Sequence, residues 1–139
     1  MKKFNSILLI DDDVTTNIFH KIIIKQADIT HNIHAVESGQ GGLDYLASRG
    51  DFHSQKNVHP RPCLIFLDIN MPAMNGFEFL EEYKKIPEDQ KGLYLIVMLT
   101  SSLNPDDKEK AEKLFNIKEY LSKPLTKESV LKIRDQYLS

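Results

Sequence analysis

Four short stretches of the 139-residue chain carry an apolar run up to a residue that can do chemistry. Ser6 to Asp11 (SILLID) ends on the first of three aspartates, Asp11, Asp12 and Asp13. Cys63 to Leu67 is apolar without a break and is closed by the carboxylate of Asp68. Leu93 to Thr100 (LYLIVMLT) closes on a hydroxyl, and Lys118 to Ser122 (KEYLS) runs into Lys123-Pro124. Carboxylates, a hydroxyl and an ammonium are what a site needs to hold a divalent cation and receive a phosphoryl group, provided the fold brings them together. Asp68 is the first candidate. The residues after it contain a Met-Pro pair, an Asn-Gly pair and no periodicity, so its strand ends there and the chain turns sharply.

The elements between these stretches read as helices. Val14 to Ala27 places Val14, Ile18 and Ile22, and likewise Phe19 and Ile23, four apart, and Asp12 or Asp13 can cap that helix. Asn32 to Glu37 (NIHAVE) alternates and is weakly apolar, as an edge strand is. Ser38-Gly39 opens a helix with Leu43, Leu46 and Ala47 on one face. Gly50 to Pro62 has no repeat and reads as a surface loop longer than the usual connection. Phe77, Leu80 and Tyr83 mark a third helix, stopped by Pro87. Asn104-Pro105-Asp106 starts a fourth, with Ala111, Leu114 and Phe115 inward. Thr126 caps a fifth, with Val130, Ile133 and Tyr137 along its face. Five strands alternating with five helices predict an α/β fold, a doubly wound five-stranded parallel sheet of flavodoxin-like type. The first, third and fourth strands are the most apolar and belong in the centre, which the strand order 2-1-3-4-5 satisfies.

Composition narrows the function. Apolar residues are 41% and charged residues 27%, with a net charge of −2, so there is no electrostatic case for nucleic acid or an anionic membrane. One domain over residues 1–139 is expected, soluble and cytoplasmic, since no stretch of about 18 apolar residues occurs. The single cysteine, Cys63, lies within an apolar run and reads as a buried hydrophobe. His31 and His34, and His53 and His59, have no evident third partner for a metal. Lys108 to Lys113 reads as a solvated, mixed-charge helix face.

In the order 2-1-3-4-5, Asp11 and Asp12, Asp68, Thr100 and Lys123 share one edge, the carboxyl ends of the strands, where open α/β sheets bind ligands. Clustered carboxylates repel, and a divalent cation with oxygen ligands relieves the repulsion. Magnesium suits the site best. Thr100 and Lys123 complete a cradle for a phosphoryl group, with Asp68 as the nucleophile.

The acidic pair after ILLI, LDINMPAMNG, LTSS and YLSKP stand in the order in which receiver domains of bacterial two-component response regulators carry them, and the chain resembles that family over essentially its whole length. Each stretch alone is weak, but the four together are specific. The resemblance implies that Asp68 accepts phosphate from a histidine kinase or phosphotransfer protein. It implies Asp12 as main side-chain ligand of Mg2+, with Mn2+ as an alternative, Asp11 contributing directly or through water, and Asn70 offering its backbone carbonyl. Thr100 would close on the phosphoryl oxygens, Lys123 would pair with them, and Tyr120 would be the switch aromatic that reshapes the face of the fourth helix, fifth strand and fifth helix. Lys123-Pro124 matches a peptide bond usually cis in the family. Ser101 stands where the family has a smaller residue.

The chain thus resembles stand-alone regulators of the chemotaxis or phytochrome-associated kind. Such a regulator has no output domain, acts on a downstream protein target, has homodimerisation open to it, and assists its own phosphorylation and dephosphorylation without being a turnover enzyme. A rival resemblance is to haloacid-dehalogenase-type phosphatases. Asp11, Asp13 and Thr15 spell D-x-D-x-T, which would make Asp11 the nucleophile and Asp13 the general acid. That reading leaves Asp68 and MPAMNG without a role and lacks the family's last acidic motif.

Overall fold

A computed structural model describes residues 3–47, 64–88, 95–101, 104–117 and 119–138. Cys63, the Gly50 to Pro62 stretch with His53 and His59, Leu93, Tyr94 and Lys118 lie outside them. In chain order the elements are β1 (Ile7–Ile10), α1 (Val14–Ala27), β2 (Ile33–Val36), α2 (Gly39–Ala47), β3 (Leu64–Asp68), α3 (Gly76–Lys85), β4 (Leu95–Thr100), α4 (Pro105–Phe115), β5 (Glu119–Ser122) and α5 (Lys127–Tyr137). The strands form one parallel sheet in the order β2-β1-β3-β4-β5. Parallel strands need crossovers, and the helices provide them on both faces.

Because side chains alternate across a strand, each central strand feeds two cores at once. Leu8, Ile10, Ile65, Leu67 and Met98 point to the side covered by α2, α3 and α4, where they meet Leu43, Leu46, Phe79 and Ala111. Ile7, Leu9, Phe66, Val97 and Leu99 point the other way, toward Ile24 of α1 and Val130 and Ile133 of α5. The apolar runs of β1 and β3 are buried throughout, whereas β2 and β5 are half-buried edges.

The helix starts are specified locally. Asp13 accepts the Thr15 and Thr16 N–H groups at the start of α1. Asn75 and Glu78 close a capping box on α3, as do Thr126 and Ser129 on α5, and Asn104 caps α4 with Pro105 following it.

One expectation is corrected, and one helix shows a face that its apolar spacing does not announce. Leu114 of α4 points to solvent at 57% exposure while Ala111 is buried and Phe115 half-buried. Around the helix, position 114 lies about 60° to one side of Ala111 and Phe115 about 40° to the other, and α4 turns the Phe115 side toward the core. On α1 the helix forms as expected, with its apolar spacing on the outer side. Val14, Ile18, Phe19 and Ile22 are exposed, and the buried face is Asn17, His20, Ile24 and Ala27.

Candidate functional site

The register of the sheet brings the polar strand ends to one edge. Asp11 follows β1, Asp68 closes β3 beside Leu99 of β4, and Thr100 stands opposite Ser122, the residue before Lys123. A cleft of about 710 Å³ opens there, lined by Asp11, Asp12, Asp68, Asn70 and Lys123 among others. Carboxylate oxygens of Asp11, Asp12 and Asp68 lie within 4.8 Å of one another. Asp11 and Asp68 are buried, Asp12 exposed.

Lys123 joins the two buried acids, with Nζ 2.6 Å from Asp11 Oδ2 and 3.0 Å from Asp68 Oδ1. Burial alone would lower the pKa of this ammonium, but its hydrogen bonds to Asp11 and Asp68 and their charges outweigh burial and hold it above its ordinary value. The reverse balance holds at Asp68. Burial is the largest influence and the Asp11 charge adds to it, so the carboxyl is raised to about 6 despite Lys123 and the Asn70 N–H that donates to it. The cleft therefore holds more negative charge than one ammonium neutralises. Three hard oxygen donors this close, one of them solvent-facing, suit a divalent cation that keeps several waters, which is the coordination habit of magnesium.

The backbone fixes these groups. Asp11 Oδ1 accepts the Asp13 N–H at 2.9 Å, which orients the carboxylate as the chain leaves β1. After β3, Gly76 N–H donates to the Ile69 carbonyl at 2.8 Å. A Cβ on Gly76 would stand 2.8 Å from the Asp68 carbonyl oxygen, so only glycine lets α3 begin this close to the acid. Lys123 N–H donates to the Thr100 carbonyl at 2.7 Å, and Lys123-Pro124 is cis.

Of the other expected site residues, Asp13 lines the cleft, whereas Thr100 and Tyr120 do not. Thr100 is buried at the end of β4, and its neighbour Ser101 lines the cleft. Tyr120 is half-buried against the α2–α4 side of the core, its hydroxyl enclosed, with the charge of Asp107 and the backbone of Asn104 as electrostatic neighbours. Asp13 is spent on capping, since Oδ1 takes the Thr15 and Thr16 N–H groups and Oδ2 the Thr16 hydroxyl. Those bonds hold its carboxyl below the usual range, the Thr16 hydroxyl foremost, so it is a poor general acid. The D-x-D-x-T reading is thereby disfavoured. His31 and His34 line a separate pocket with Lys21 and Lys25, and the only cluster of three or more metal-ligating side chains among the described residues is Asp11, Asp12 and Asp68.

Two residues escaped the sequence reasoning. Asn17 Nδ2 donates to the Asp11 carbonyl at 2.9 Å and the Val36 carbonyl at 3.4 Å, binding α1 to the ends of β1 and β2. His20 Nε2 accepts the Leu125 N–H at 3.2 Å. The signal was available in the spacing of residues 17, 20, 24 and 27, which lie on one helical face.

Comparison with known proteins agrees with this geometry. The family model described as "Response regulator receiver domain" matches residues 7–134. Response regulator Rcp1 of Synechocystis sp. is 32% identical over 101 residues, covering 73% of this chain and 65% of Rcp1, so the matched part is just under two thirds of that relative. A crystal structure of a two component response regulator from Cytophaga hutchinsonii superposes with a TM-score of 0.83 at 32% identity, covering 99% of this chain and 98% of that one. The Mn(2+)-bound form of Rcp1 gives a TM-score of 0.72 at 27% identity, over 96% and 94% of the two chains. With the strand order, the acidic cluster and the lysine at the same sheet edge, the chain belongs to the response regulator receiver domain family of two-component signalling.

Proposed function

We propose that Asp68 is the phosphoryl acceptor of this receiver domain. The observation that carries the reading is the buried Asp68 carboxylate at the end of β3, bridged to Asp11 by Lys123 at the floor of an open cleft. In the transfer an Asp68 oxygen forms the new P–O bond as the bond from phosphorus to the donor nitrogen breaks, and the electron pair leaves with the donor imidazole. Asp11, Asp12 and Asp68, with the Asn70 backbone carbonyl, would hold Mg2+ or Mn2+. That ion would offset charge on the phosphoryl oxygens. Lys123 pairs with one of those oxygens once phosphorylation redistributes its contacts, and Thr100 closes on another. Tyr120, packed at the start of α4, follows the threonine, and the α4–β5–α5 face changes with it.

The donor is a histidine kinase or phosphotransfer protein, and the output is a contact with a downstream protein. The exposed stripe Val14, Ile18, Phe19 and Ile22 supports a protein donor, because Phe19 itself lines the cleft and the stripe extends from there along α1. We read the domain as a phosphorylation switch acting in the cytoplasm, with a homodimer as one form of its output face, and not as a turnover enzyme. Intact-protein mass after incubation with acetyl phosphate tests the acceptor. A single phosphoryl adduct that needs Mg2+ and is absent from Asp68→Asn is expected. An adduct that persists in Asp68→Asn and disappears in Asp11→Asn would overturn the reading.

A further inference from the structure

We propose that His20 is a positioning residue for Lys123, acting through a hydrogen bond to the backbone two residues further on. The inference rests on the reading of Asp68 and Lys123 given above. His20 is 1% exposed in the middle of α1 and its Nε2 accepts the Leu125 N–H at 3.2 Å. To accept there the ring must be neutral, with its proton on Nδ1. Burial favours that form most, the Asp11 charge opposes it and the Lys123 charge supports it, with the net balance lowering the pKa of His20.

The position of this bond gives it its role. β5 is an edge strand with β4 as its one neighbour, so past Ser122 there is no second strand to hold the chain. Three residues then carry the lysine out of the sheet and into α5. Lys123 N–H is taken by the Thr100 carbonyl, Pro124 has no N–H, and Leu125 N–H is taken by His20. The backbone on either side of the Lys123 side chain is thereby tied once to the sheet and once to α1. Leu125 is buried among the residues that pack α1 and α5 on the sheet, so its amide has no recourse to water. The lysine that spans 2.6 Å to Asp11 and 3.0 Å to Asp68 is held at both ends of its own short segment. Losing the acceptor on α1 frees one end.

The test compares His20→Leu, of similar size but without an acceptor, with His20→Gln, whose amide oxygen can take the place of Nε2. His20→Met, flexible and without a strong acceptor, serves as the second apolar replacement. The rate of phosphoryl incorporation from acetyl phosphate with Mg2+ is measured beside circular dichroism, which confirms that the variants compared are folded. His20→Leu and His20→Met should lose roughly tenfold in rate, as small displacements of a charge-stabilising group do, while His20→Gln retains the parent rate to within about twofold. The loss should not exceed that of Lys123→Ala, because His20 acts through that lysine. Parent rates in both apolar variants, a His20→Gln variant as slow as they are, or a loss larger than that of Lys123→Ala would each overturn the proposal. An adduct that survives Asp68→Asn would instead overturn the acceptor reading, and the role assigned to His20 would fall with it.

Discussion

Lys123 Nζ lies 3.0 Å from Asp68 Oδ1, yet the Asp68 carboxyl is raised to about 6. Its folded-state pKa is above the ordinary value, so the native state keeps the proton to higher pH than the unfolded chain does. Ionising Asp68 therefore costs stability. The loss begins near pH 4, is complete just above pH 6, and amounts to about 1–2 kcal/mol once the openness of the cleft to water is allowed for. Asp68→Asn should remove it. In urea unfolding with chelator present, the variant should gain on the parent between pH 4 and 6 and hold that gain at pH 8. A difference between the two proteins that does not change with pH would contradict the assignment.

Divalent cation should reverse that cost. At pH 7.5, Mg2+ at about 100 times its dissociation constant should stabilise the domain by about 2.7 kcal/mol, as linkage requires for a ligand of the native state alone. The effect should shrink at pH 5, where Asp68 holds its proton. Asp12→Asn should abolish most of it while leaving stability in chelator nearly unchanged, because Asp12 is exposed. Thermal unfolding with Mg2+ and with chelator measures both.

Asp13 separates the two acidic readings. As the cap of α1 it accepts two N–H groups and a hydroxyl, so Asp13→Ala should lower the thermal unfolding midpoint. Phosphoryl incorporation at Asp68 should continue. Loss of all acceptance in a folded Asp13→Ala protein would restore the phosphatase reading.

The outward stripe of α1 should matter to a protein donor and not to a small one. Ile18 is 56% exposed, so Ile18→Glu should change stability by no more than about 0.5 kcal/mol. Labelling from acetyl phosphate should match the parent, while phosphotransfer from a purified, autophosphorylated histidine kinase that labels the parent should fall. Equal transfer to both proteins would remove the stripe from the donor interface.

Much of this architecture was legible before any coordinates. The unbroken runs ending at Asp68 and Thr100 read as central strands and the weaker β2 and β5 as edges, and the doubly wound order 2-1-3-4-5, which satisfies that pattern, puts Asp11, Asp12, Asp68 and Lys123 on one edge. The cap at Thr126 and the Asn104-Pro105 start were equally plain, because they depend on a few neighbouring residues. What the spacing alone did not reveal was which side of α1 meets the sheet. On α1 the periodicity of Val14, Ile18 and Ile22 was real, but it describes the side turned to solvent. The inner side at that end of the sheet must satisfy the Asp11 and Val36 carbonyls and the Leu125 N–H, and Asn17 and His20 can do so where isoleucine cannot. Leu114 misled in a smaller way, since α4 buries chiefly Ala111.

The facing of α1 divides labour within a single helix. Its hold on the sheet beside the cleft is directional, made by an amide and an imidazole, whereas its greasiest surface is left outside. A substitution on the outer side leaves the bonds to β1, β2 and Leu125 in place. If the proposed roles hold, such a helix can drift in whom it recognises while the chemistry beneath it stays fixed, so that copies of the domain can diverge toward different signalling partners without each having to reinvent the proposed acceptor site.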